Sequence, residues 1–88
     1  MTKILNKRTD NIPVGAIYCG RPSKYGNPFS IGKDGTRAEV IAKFRIYAEA
    51  RLLEEPHWLD DLRGVEAVVC WCAPLPCHTE VLIELANR

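Results

Sequence analysis

With 88 residues, 12 of them Lys or Arg and 11 Asp or Glu, the chain carries a formal net charge of +1 and has room for one domain around one modest core. That balance excludes the electrostatic footprint of a dedicated duplex-DNA binder, and no apolar run approaches the ~20 residues that a bilayer-crossing helix needs. The segment Met1 to Arg8 is too polar for a secretory signal, so no membrane association and a cytoplasmic location are expected.

In that compartment four cysteines serve as thiols, metal ligands or site residues rather than as two disulfides. Cys70 and Cys72 would make a poor pair in any case, because residues two apart in a strand have Cα atoms ~7 Å apart, beyond disulfide reach.

In chain order, residues 2 to 5 suit a short first strand, and Asn6 to Pro13 reads as a solvated connection. Val14 to Cys19 is an apolar run with β-branched and aromatic residues, suited to a buried strand. It leads into Gly20-Arg21-Pro22-Ser23-Lys24-Tyr25-Gly26-Asn27-Pro28-Phe29. Gly20 and Gly26 permit close approach of a ligand, Pro22 and Pro28 stiffen the path, and Arg21, Ser23, Lys24 and Asn27 supply donors. Such a loop can cradle an anion, although it matches neither the Walker pattern nor the dinucleotide fingerprint. The plain alternative is a turn-rich surface loop.

Phe29-Ser30-Ile31 alternates like an edge strand, and Gly32-Lys33-Asp34-Gly35 is a turn signal. Thr36-Arg37-Ala38-Glu39 has the spacing of a capping box. The helix it opens runs from about Arg37 to Leu53, with Val40, Ile41, Phe44, Tyr47, Ala48 and Leu52 on one apolar stripe. Pro56 ends it. His57 to Leu62 suits a further helical turn, with His57, Asp60 and Asp61 facing solvent.

Val65 to Cys72 is the strongest strand in the chain, apolar at every position from Ala67 onward, as in the centre of a parallel sheet. Ala73-Pro74-Leu75-Pro76 breaks the ladder, and Cys77-His78-Thr79 opens a final helix whose Val81, Leu82 and Leu85 return to the core. The fold class is therefore a small α/β domain, residues 1–88, with a three- or four-stranded, mainly parallel sheet flanked by helices.

Two strand ends carry the unusual chemistry: Cys19-Gly20-Arg21 and the stretch Cys72 to His78. If both strands are parallel members of one sheet, these segments meet at its carboxyl edge, where open α/β sheets place ligands and helix amino termini favour anions. The expected ligand-binding residues are Gly20, Arg21, Ser23, Lys24, Gly26, Asn27, Cys72, Cys77 and His78, with Trp71 or Tyr25 offering a stacking face. The expected ligand is a nucleotide or similar phosphorylated small molecule, with no metal and no cofactor.

Three other readings stay open. Cys70, Cys72, Cys77 and His78 supply the ligand types of a zinc-stabilised interaction module, but their spacing departs from the usual knuckles. An enzyme acting on a nucleotide or nucleobase would use the same pocket, with Cys77 as a thiol of lowered pKa and His78 not assured as its base. A hydrophobic content of 47% also leaves room for an interface with a host protein or in a homodimer.

Gly20-Arg21-Pro22-Ser23 with Gly26-Asn27-Pro28-Phe29, then Leu62-Arg63-Gly64, then Cys70-Trp71-Cys72-Ala73-Pro74 with Cys77-His78 and Val81-Leu82, resembles a family of small phage and bacterial proteins known as a domain of unknown function (DUF4326). The resemblance covers roughly residues 14 to 88 and implies a phage or prophage setting and an intracellular role, without an activity to carry over. Members of that family tend to read Cys-His-Gly-Asp where this chain has Cys77-His78-Thr79-Glu80, which keeps an acidic side chain but narrows the space beside the helix start.

Overall fold

The run Ala67 to Cys70 is buried at all four positions and forms the centre of the molecule. A computed structural model describes residues 2–8, 10–21, 23–72 and 75–88. In it, β1 (Lys3–Asn6), β2 (Ile17–Tyr18) and β3 (Ala67–Cys70) make one three-stranded parallel sheet in the order β1-β3-β2. Val68 lies opposite Ile4 on one side and Ile17 on the other, and Val69 opposite Leu5 and Tyr18. A parallel strand buried on both faces needs apolar side chains at odd and even positions alike, which is what Ala67 to Cys70 provides.

Helix α1 (Arg37–Glu54) begins with the capping box expected from its sequence: Glu39 N–H donates to the Thr36 hydroxyl at 3.2 Å, and Thr36 N–H donates to the Glu39 carboxylate at 2.9 Å. Its inward stripe is Val40, Phe44 and Ala48, with Ile41, Tyr47 and Leu52 packed beside it. Helix α2 (His78–Ala86) returns Val81, Leu82 and Leu85 to the same core, which Trp58, Leu59 and Leu62 close from the 3-10 turn at Asp60–Leu62. Burying one such Leu or Phe side chain contributes roughly 1.5–3 kcal/mol. His57 is exposed and its Nδ1 lies 2.8 Å from Asp60, so it stays outside the core.

Two strand expectations need correction. The apolar run from Val14 yields only Ile17–Tyr18, because Pro13 to Ala16 forms a turn, with Gly15 at φ +94° and Val14 fully exposed. Phe29-Ser30-Ile31 is no strand. The Phe29 amide is taken by the Asn27 side chain at 2.9 Å and the Ser30 amide by Asp34 at 2.8 Å, so side chains occupy the donors a ladder would use. The stiffening role expected of Pro22 and the break expected at Ala73-Pro74 lie outside the described residues. No helix is long and apolar enough to cross a membrane among the described residues.

Candidate functional site

All three strands run in the same direction, so their carboxyl ends reach one edge. The ladder continues one residue past each outer strand: Cys19 N–H donates to Val69 O and Lys7 N–H to Cys70 O, both at 2.8 Å. Lys7, Cys19-Gly20-Arg21 and Trp71-Cys72 therefore leave the sheet together. The starts of α1 and α2 complete the wall, and a cavity of about 340 Å³ opens between them. Its polar rim carries Arg21, Asn27, Ser30 and Arg37, and its apolar lining includes Phe29, Ile31, Val40, Ile41, Trp71 and Pro76. Cys70, Cys72, Cys77 and His78 form its thiol-rich side.

Of the residues expected from sequence, Gly20, Arg21, Asn27, Cys72, Cys77 and His78 line this cavity, whereas Ser23, Lys24 and Gly26 do not. Lys24 turns its ammonium over the Tyr25 ring, 5.2 Å from the centroid, and to 3.9 Å from Asp61. Its carbonyl accepts from Arg51 and from the Trp58 indole at 3.1 and 3.2 Å, fixing the loop to the core. Ser23 is also spent locally, its hydroxyl accepting from the Tyr25 amide.

The two glycines act through space. A side chain at Gly20 would collide with the Tyr18 phenol, and a Cβ at Gly26 would stand 2.9 Å from Arg21 Cγ. Gly20 thus lets the Tyr18 hydroxyl reach and donate to Arg21 O at 2.7 Å, and Gly26 leaves room for the Arg21 side chain itself. Arg21 Nη1 then donates to the Ser30 hydroxyl at 3.1 Å. Asn27 braces the loop: its carbonyl oxygen accepts from Phe29 and its amide donates to Val40 O at 3.4 Å.

Sequence reasoning passed over Arg37 and Ser30. Arg37 is the first residue of α1 and donates from Nη1 to Pro76 O at 3.1 Å, joining the two helix starts across the cavity. The capping box was the available signal, since it places the next side chain at a helix start.

His78 is 8% exposed and packs edge-on against Phe44, ring centroids 5.0 Å apart. Its Nε2 lies 2.8 Å from Cys19 O, and a carbonyl only accepts, so Nε2 carries the hydrogen. Burial holds the imidazole below its ordinary pKa, against the Cys19 carbonyl that favours the charged form. The neutral ring then turns the Nδ1 lone pair to Cys77 Sγ at 3.4 Å, so the thiol donates to it.

Cys77 is itself drawn below the usual thiol range, chiefly by a hydrogen bond from Cys70 and also by the Thr79 amide, against the effect of burial. Cys19, by contrast, is pushed up to about 12 by burial and by its neighbours Cys70 and Cys77. All four cysteines are free thiols. Among the described residues no three His, Cys, Asp or Glu side chains converge as metal ligands do, and both His78 nitrogens are engaged.

Compared with known proteins, residues 3–88 match the family model described as Domain of unknown function (DUF4326). No curated protein and no solved structure matches the chain.

Proposed function

The chain belongs to the DUF4326 family, and we propose that it binds a nucleotide or similar phosphorylated small molecule in the cavity at the carboxyl edge of its sheet. The observation that carries this reading is that Arg21 and Arg37 both line a cavity whose other walls are largely apolar. Arginine presents a planar fork of donors matched to phosphate oxygens, and the two guanidiniums come from separate elements, so they can grip one group from two sides. A volume of about 340 Å³ suits a ligand of mononucleotide size, at the lower end of the ~300–1,000 Å³ usual for small-molecule sites. A phage-associated, cytoplasmic setting, in which such a protein sequesters a host signal or aids nucleotide processing, belongs to the same proposal and rests on the family resemblance.

Titration calorimetry with adenosine 5′-monophosphate and ribose 5-phosphate tests the reading. Arg21→Ala and Arg37→Ala are each expected to weaken both compounds roughly tenfold or more, the worth of a charge-assisted hydrogen bond. Absence of binding by the unmodified protein would overturn it.

One observation favours a second reading, an enzyme acting on the same ligand class. The Cys77 thiol faces a neutral imidazole whose tautomer is fixed by Cys19 O, the arrangement of nucleophile, base and orienting group. Turnover of a bound nucleotide that Cys77→Ser abolishes while binding persists would select it.

A further inference from the structure

We infer that Trp71 is the seat of a nucleobase, so that the ligand of the cavity is a nucleoside monophosphate whose base stacks on the indole while its phosphate meets Arg21 and Arg37. The inference rests on the reading proposed above and adds to it the chemical identity of the ligand's other half.

Trp71 directly follows β3 and is 54% exposed, whereas the chain's other tryptophan, Trp58, is buried at 5%. The ring is nevertheless held. Its Nε1–H donates to the Tyr18 hydroxyl at 2.9 Å, and that hydroxyl donates to Arg21 O at 2.7 Å. The Trp71 carbonyl accepts from Asn6 Nδ2 at 3.2 Å. An exposed indole fixed at its backbone and at its nitrogen offers a flat face at little further cost in entropy.

The hydrogen bonds also link function to function. The Tyr18 hydroxyl that orients the indole is the one that holds the Arg21 backbone, so the stacking face and the phosphate-side guanidinium share one fixed frame. Lys7 stands over the same rings, its ammonium 4.6 Å from the Tyr18 centroid and 6.0 Å from that of Trp71. Among the described residues no aromatic ring packs on the indole. A planar group beside one ammonium, in a cavity that two arginines also line, matches a base joined to a phosphate.

Calorimetric titration of the unmodified protein with adenosine 5′-monophosphate, uridine 5′-monophosphate and ribose 5-phosphate separates the two halves. Both nucleotides are expected to bind roughly ten- to hundredfold more tightly than ribose 5-phosphate, the range of base stacking on an aromatic side chain. Trp71→Ala should erase that advantage, so that the nucleotides bind no more tightly than ribose 5-phosphate in the same variant, and Trp71→Phe should keep much of it. Equal affinity for ribose 5-phosphate and the nucleotides would overturn the stacking role while leaving the phosphate site standing. An Ala variant that retains the nucleotide preference would do the same. If none of the three compounds binds, both this inference and the phosphate site fall. The comparison on the unmodified chain holds even if the Ala variant folds poorly.

Discussion

His78 Nε2–H donates to Cys19 O at 2.8 Å, joining the first residue of α2 to the residue that follows β2. The same ring lies edge-on to Phe44 of α1, so one imidazole connects the sheet edge with both helices. Its role is to hold the walls of the cavity together from behind. Histidine suits this place because it offers a donor to the carbonyl, an acceptor to the Cys77 thiol and a flat apolar ring to the core, all in the neutral form.

Replacing His78 by Ala should therefore destabilise the protein by about 2–4 kcal/mol, combining a buried carbonyl left without its donor and a void beside Phe44. The pH dependence is specific. The folded-state pKa is depressed below the ordinary 6.5, so the unfolded chain takes up the proton first. Stability is then unaffected by this group above 6.5 and falls as pH drops from there towards the folded-state pKa. Urea midpoints of the unmodified protein and His78→Gln, measured from pH 7.5 down to 5, should converge as pH falls; parallel curves would show that burial of the neutral ring is not the cause.

The thiols should separate by reactivity. Cys77 lines the cavity with its pKa lowered from 9.0 but is only 2% exposed, so iodoacetamide should modify it slowly from the cavity side, with a midpoint below that value. Cys19 is wholly buried with its pKa raised to about 12 and should react only after unfolding. Peptide mapping by mass spectrometry after timed alkylation distinguishes the two. Because Cys19 stays protonated in the folded state, it also withdraws stability as pH rises above 9.0 towards 12, the reverse of the His78 effect.

Much of this arrangement was legible in the sequence, for reasons that differ by element. The unbroken apolar run before Cys70 demanded burial on both faces, and Thr36 with Glu39 marked the start of α1 to the residue. The shared strand direction then brought Gly20-Arg21, Cys72, Cys77 and His78 to one edge. The loop between β2 and α1 was harder to read, because its residue types fit both a ligand cradle and a self-bonded turn. Ser23 is consumed by the Tyr25 amide within the loop itself, and Lys24 by neighbours that only the tertiary packing supplies, Trp58 and Arg51. Arg37 escaped notice for the converse reason: a basic residue in a first helical turn reads as solvated until Pro76 is seen beside it.

Gly20 and Gly26 should tolerate no side chain, each for its own reason. Gly20→Ala forces the Tyr18 phenol aside and breaks its bonds to Arg21 O and to the Trp71 indole. Gly26→Ala presses on the Arg21 side chain and on its backbone, 3.2 Å away. A loss of about 1–3 kcal/mol is expected for each, read from thermal unfolding. Only Gly20→Ala should shift the emission of Trp71, because only that change releases the indole; a shift of equal size in Gly26→Ala would show that the loop moves as one body.

Thr36→Ala should cost about 1 kcal/mol of stability through the lost capping box. Its second effect concerns the site. Arg37 is the residue after the cap, and its guanidinium reaches Pro76 O only from an ordered first turn. Fraying of that turn releases the guanidinium from its side of the cavity, so ribose 5-phosphate affinity should fall several-fold at a temperature where the variant remains folded. Thr36→Ser restores the hydroxyl and should recover both properties, while Glu39→Gln keeps an acceptor for the Thr36 amide and should change them less. Calorimetry alongside thermal unfolding resolves the coupling. If Thr36→Ala loses stability but keeps its affinity, the bond to Pro76 alone positions Arg37; if both fall together and Ser recovers both, the cap that starts the helix also sets the phosphate-binding arm.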